Sequence, residues 1–221
     1  VSGFPPEVRH ELAGWTLLWA DLEVCFDDDT VLAAVRVETA ARARASHTLE
    51  TLSEHPTVAA LRRLFRHAGC DPTRYRPSSE ALLRRVLKGE ELPAIHPLVD
   101  LNNCLSLELV CPACVMNVEN LRPPFVLRAG AAGEAYASLR GPFNLEGKPL
   151  LVDAEGPCDA PITGGERVKV LPETRRAWLV AYMPAAVVGR ECGEQALRAL
   201  AAAAPAFRLH AVGATGEGGR P

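Results

Sequence analysis

Aromatic residues are scarce in this chain: Phe, Tyr and Trp together make up 5% of 221 residues, so Leu, Val and Ala are expected to build the core. No uninterrupted apolar run is long enough to span a bilayer, and the N-terminus carries no apolar leader. The expected setting is therefore the cytoplasm, with no membrane partner. A strong charge of either sign is missing as well. The formal net charge of −3 argues against a protein that grips nucleic acid through its overall field, and DNA is not an expected partner. There is no internal repeat, no visible ATP-binding motif and no GxSxG. No Ser or Cys sits in a recognisable nucleophile motif with an assignable His beside it.

What remains has the balance of an ordinary globular protein, 48% hydrophobic and 23% charged. The length suits one domain with a substantial core. We expect it over residues 1–212, with the Gly-rich stretch 213–221 as a flexible tail. The seven cysteines are odd in number and scattered, as reduced thiols would be. Charge is uneven along the chain: between Thr57 and Glu90, Arg and Lys outnumber Asp and Glu by eight to three. Arg62, Arg63, Arg84 and Arg85 are the candidates for a local nucleic-acid-binding face. The alternative is that they are the solvated sides of two amphipathic helices.

Periodicity assigns the elements. Gly14–Phe26 alternates and runs into Asp27-Asp28-Asp29, a strand closed by a turn. Good helix formers fill the stretch from Thr30 to about Ala45. In Pro56–His67 the apolar positions recur at three and four, and Gly69 stands where a C-terminal cap belongs. Ser78 or Ser79 is placed to cap the next helix, which Gly89 stops. Leu98, Leu101, Leu105 and Leu109 form one helical stripe, with Asp100, Asn103 and Glu108 off it. From Phe125 onward, short runs bounded by Gly, Pro and Asp (FVLRA, EAYASLRG, PLLVDA, ERVKVL, RAWLVAYM) read as hairpin-connected strands. A helix over Cys192–Ala203 and an edge strand over Phe207–Val212 complete the pattern. Helices first and strands afterwards predict an α+β fold, a mainly antiparallel sheet packed with helices.

Cys111-x-x-Cys114, with Cys104 and His96 upstream, has the donor types of half a zinc site. A helix over 98–109 leaves Cys104 two turns from Cys111, so structural thiols are the expectation and no metal or other cofactor is assigned. The remaining histidines share no spacing.

Val99, Asp100, Asn102, Asn103, Glu108 and Pro112, then Gly133-Glu134, Gly164-Gly165 and Glu173-Thr174, fall in an order and spacing that resembles the B3/B4 domain of the phenylalanyl-tRNA synthetase beta subunit over about Arg76–Ala186. The resemblance implies the layered B3/B4 fold with a pocket between sheet and helices. It also implies a tRNA-binding, editing activity, here expected without a synthetase around it and without aminoacylation. The expected partner is the aminoacylated acceptor end of tRNA, bound weakly and in a salt-sensitive way; the oligomeric state is left open. Hydrolysis of an activated aminoacyl ester needs positioning and charge stabilisation more than a nucleophile.

By this resemblance Asn102 and Asn103 position the aminoacyl group and Gly164 and Gly165 shape the oxyanion side. Thr163, Asp100, Cys114 and Glu134 contact substrate, with Glu134 reading the amino-acid side chain. Each has a structural alternative: an Asn bridging backbone groups in a turn, a surface Glu at a strand start, a Gly-Gly pair as a plain turn. One departure stands out. Cys114 replaces the His that the family usually has two residues after the Pro, and Asn117 replaces the Asp that follows it. A thiol cannot relay protons near neutral pH unless its pKa is lowered.

Overall fold

The computed structural model describes residues 7–25 and 29–216. In chain order its elements are β1 (Val8–His10), β2 (Trp15–Val24), α1 (Asp29–Ser46), α2 (Pro56–Ala68), α3 (Ser78–Leu87), α4 (Pro97–Leu109), β3 (Ala113–Asn117) and β4 (Phe125–Ala129). They continue with β5 (Ala135–Ser138), β6 (Gly141–Asn144), β7 (Pro149–Asp153), β8 (Gly156–Ala160), β9 (Thr163–Gly164), β10 (Arg176–Pro184), α5 (Arg190–Ala203) and β11 (Phe207–Gly216). The result is α+β, with the sheets almost wholly antiparallel. One sheet has the order β11-β2-β10-β3, a second β1-β4-β7-β8-β9, and β5 and β6 form a separate hairpin. Among the strand pairs of the described residues, β1 with β4 is the parallel one.

Strands β2 and β10 are buried on both sides, and the layers follow from that. Because successive strand side chains point to opposite faces, Leu18, Ala20, Leu22 and Val24 join Ala177, Leu179, Ala181 and Met183 in packing against α1, α4 and α5. The intervening Trp15, Leu17, Trp19, Trp178, Val180 and Tyr182 pack on Leu127, Leu151 and Cys158 of the second sheet and on Leu61 and Phe65 of α2. The aliphatic core expected from composition is thus found mainly on the side of α1, α4 and α5. All three Trp lie between the two sheets, where a spacing near 10 Å is filled by large rigid rings in tilted and edge contacts such as Phe125 with Trp178, 4.5 Å between centroids. Burying each such side chain contributes about 1.5–3 kcal/mol.

Several local expectations change. Helix α3 begins after Pro77 and has no side-chain cap; the Ser78 amide donates instead to the Pro161 carbonyl, 2.9 Å away, tying the helix to the second sheet. The ERVKVL run is not a strand but a 3-10 turn over Glu166–Val168. Strand β3 was not expected. The last strand continues through the stretch 213–216 assigned to a flexible tail, because β2 offers it partners as far as the Gly216–Thr16 pair. Residues 217–221, and the Asp27-Asp28 part of the expected turn, lie outside the described residues. Among the described residues no helix is long and apolar enough to cross a membrane.

Helix α4 carries the two asparagines, and both of its ends are fixed. His96 accepts a hydrogen bond from the Leu98 amide through Nδ1 at 3.2 Å, and Pro97 supplies the preset φ of a first helical residue. At the far end Val110 is left-handed, with φ 53, a conformation that β-branched residues rarely adopt. It turns the chain back so that β3 runs beside the helix. The Asn102 Nδ2 then reaches the Ala113 carbonyl at 3.2 Å.

Candidate functional site

A cavity of about 400 Å³ lies where α3, α4 and the loop before it meet β3 and the β8–β9 hairpin. Its wall contains Asn102, Asn103, Cys114, Thr163, Gly164 and Gly165, so the asparagines and the double glycine named from sequence share one hollow. Arg85 is also at its wall, together with Arg140 and Lys169. Ile95 and Leu139, two large apolar side chains that are more than half exposed, sit at the same opening.

The glycines are needed for closeness, not for a turn. Neither has a positive φ; Thr163 and Gly164 pair with Ala160 and Asp159 as a short strand, and Gly165 is extended, φ −81 and ψ 137. A Cβ on Gly165 would stand 2.3 Å from the Cys158 carbonyl oxygen, a contact that no side chain tolerates. One on Gly164 would meet Leu139 at 3.2 Å, Cys114 Sγ at 3.6 Å and Asp159 Oδ1 at 3.7 Å. This wall of the cavity is therefore main chain.

Other expected site residues stand elsewhere. Asp100 does not line the cavity: buried in the first turn of α4, it accepts from Arg36 Nη1 at 2.5 Å and from the Ile95 amide at 3.0 Å, and burial raises its pKa against these partners. Its role is to pin the loop that carries Ile95. Glu134 is outside as well. Its carboxylate takes both Arg128 guanidinium nitrogens, at 2.7 and 2.8 Å, and the Ala131 amide at 2.8 Å; the bond to Arg128 holds its pKa below the usual range. Three donors thus hold this carboxylate, and Glu134 is not among the residues of the cavity wall. Of the four arginines, Arg62 and Arg84 are directed onto buried Glu80, at 2.6 and 3.0 Å, where Arg76 joins them. Arg63 points to solvent.

Cys114 is half-buried, and burial pushes its thiol well up, with the nearby Asp159 carboxylate adding to the shift. It is neutral near pH 7 and no substitute for an imidazole. Cys104 and Cys111 are fully buried, and burial raises the first to about 11. Among the described residues no group of three or more His, Cys, Asp or Glu is arranged to hold a metal ion.

Sequence reasoning missed Asp159 as a site residue. It is fully buried, it belongs to the cavity wall, and Tyr182 donates to its Oδ2 at 2.5 Å. Burial lifts its pKa to about 6, with the Cys114 and Tyr182 hydrogen bonds opposing the rise. An Asp inside an otherwise apolar strand, in GPCDA, was the available signal. The Glu173-Thr174 pair has a structural role: Thr174 Oγ1 accepts from the Leu171 amide at 2.9 Å and fixes the turn into β10.

The chain matches the family model described as the B3/4 domain over residues 60–202. Among solved structures it is similar to an N-terminal fragment of the phenylalanyl-tRNA synthetase beta subunit from Pyrococcus horikoshii, at 12% identity and a TM-score of 0.48. That similarity covers 95% of this chain and 51% of the fragment, so the chain spans about half the fragment's length. No curated protein matches. With well over half of its residues inside the matched region, this chain belongs to the B3/4 domain family.

Proposed function

We propose that the cavity receives the aminoacylated acceptor end of a tRNA and that the protein hydrolyses a mismatched aminoacyl ester there. The observation that carries this reading is the convergence of Asn102, Asn103 and the Thr163–Gly165 main chain on one hollow of a size suited to an amino acid. Water attacks the ester carbonyl carbon; the bond to the ribose oxygen breaks, that oxygen takes the proton that water gives up, and a free amino acid leaves. Asn103 lines the hollow and is half-exposed, and its amide can both donate and accept. Gly164 and Gly165 let the reacting carbonyl approach the backbone. The neutral Cys114 thiol supplies shape and no proton relay. Glu134 has no part in reading the side chain.

The cations at the opening support the nucleic-acid half of the reading. Arg85, Arg140 and Lys169 line the cavity and could meet phosphates of a bound acceptor end, with Arg85 and Lys169 also pairing with Glu90 and Glu166. Two or three phosphate contacts predict a modest salt dependence, a slope of about −0.7 per phosphate for single strands.

The test is deacylation of mischarged tRNA by the purified protein. Turnover is expected, and Asn103→Ala should reduce it about a hundredfold, in the range seen when a positioned amide donor is lost. Turnover that Asn103→Ala leaves untouched would remove the assignment. No turnover with any noncognate pair would leave a binding protein that uses the same cavity.

A further inference from the structure

Two residues that line the cavity each carry a buried oxygen without a hydrogen-bond partner, Asp159 Oδ1 and Asn102 Oδ1. Both belong to side chains that are more than nine-tenths buried. Asn102 uses its other end on the Ala113 carbonyl; Asp159 uses its other oxygen on Tyr182. The Cys114 thiol, a weak donor, interacts with the same carboxylate without satisfying Oδ1. Gly164 borders this place, since a carbon atom on it would lie 3.7 Å from Asp159 Oδ1.

The unmet need is for donors and for positive charge. Among the described residues no Arg, Lys or His forms an ion pair with Asp159. The groups that face it are Cys114 from β3, Tyr182 from β10, Tyr136 from β5, its own neighbour Cys158 and the Ala160 amide, all of them neutral near pH 7. A buried carboxylate without a cation is half of an ion pair. A ligand hydroxyl has one proton to give and no charge. An ammonium has three protons to give, accepts none and is small enough for an amino-acid-sized hollow, so it can donate to a buried acceptor and neutralise the carboxylate.

We propose that Asp159, seconded by Asn102, binds the ammonium group of the cavity's ligand and makes the site selective for an unblocked amino group. The inference rests on the reading that this cavity takes an aminoacyl group, and it names the end of that group which the protein recognises. Amino acids whose nitrogen is acylated are rejected, because an amide nitrogen keeps one proton and no charge, leaving the buried carboxylate without a cation. Binding requires an ionised Asp159 and a protonated amine. Since the carboxyl titrates near 6 and α-amino groups at about 7.7–8.0, affinity should be highest between those values and fall tenfold per pH unit on the acid side.

The experiment is calorimetric titration of the whole protein with L-amino-acid amides bearing aliphatic, aromatic and hydroxylated side chains, each alongside its N-acetyl counterpart. Amides with a free amine should bind, and their N-acetyl forms should be weaker by at least tenfold. Asp159→Asn should weaken the free amines at least tenfold and flatten the acid limb of the pH profile. Equal binding of acetylated and free amides would overturn the inference, and this arm needs no variant. So would binding that Asp159→Asn leaves unchanged, or no binding by any amide. Deacylation fails independently: amine-dependent binding without turnover on mischarged tRNA would sink the hydrolase reading alone, and turnover indifferent to Asp159→Asn would sink this inference alone.

Discussion

Two hairpins of the same half of the molecule treat a carboxylate in opposite ways. At the start of β5, Glu134 meets the forked guanidinium of Arg128 and a backbone amide, and its pKa is lowered. At the end of β8, Asp159 meets three neutral donors, the Cys114 thiol, the Tyr182 hydroxyl and the Ala160 amide, and no cation, and burial raises its pKa to about 6. The first carboxylate is complete within the fold. The second is incomplete, and incompleteness inside a cavity is what distinguishes a binding group from a structural one. A third case, Glu80, marks the limit of completeness: it is fully buried and surrounded by Arg62, Arg76 and Arg84.

The comparison is broken most severely at Glu80. Glu80→Gln leaves three arginines around a neutral amide, and loss of one side of a buried ion pair costs about 3–5 kcal/mol; denaturant unfolding at pH 7.5 should show a midpoint far below that of the parent. Asp159→Asn should act in the opposite direction. Its folded pKa lies above the ordinary 3.8, so the fold favours the protonated acid. The contribution of this group to stability is whole below about pH 4 and is lost as pH rises through about 6. The variant is therefore expected to be more stable than the parent at pH 7.5, by up to about 3 kcal/mol, with little difference at pH 4, when unfolding is measured at both. A variant less stable at pH 7.5 would mean that Asp159 is completed within the fold after all. The smallest effect is expected at Glu134. Because Arg128 and Glu134 remain in partial contact with solvent, Glu134→Gln should cost about 1 kcal/mol or less and leave deacylation rates unchanged. A fall in rate without a fall in stability would return Glu134 to the site.

The helices and long strands could be read from the sequence because their signals are local. The three-and-four spacing in Pro56–His67 reflects burial that the segment shows by itself, and the apolar, strand-length run Trp15–Val24 is legible although both of its faces are buried. Ser78 failed as a cap because the helix already includes it, with Pro77 at the N-cap position, and its amide is held by Pro161, a partner beyond the reach of any local rule. The same limit divides the site. Asn102, Asn103, Gly164 and Gly165 were named through a family pattern, and they do line one cavity. Glu134 belonged to that pattern too, yet its bond to Arg128 decides its role and is invisible in the pairing of letters. Asp159 went unassigned for the converse reason: its isolation depends on which residues stay away from it.

The near-contact of Gly165 with the Cys158 carbonyl has a consequence for how such a protein can diversify. A pocket side made of peptide units has almost nothing to mutate, so its outline persists while the residues around it change. New ligand preferences must then arise opposite, from the helical side chains and from the acid behind them, with one half of the mould held constant and the other free to be recast.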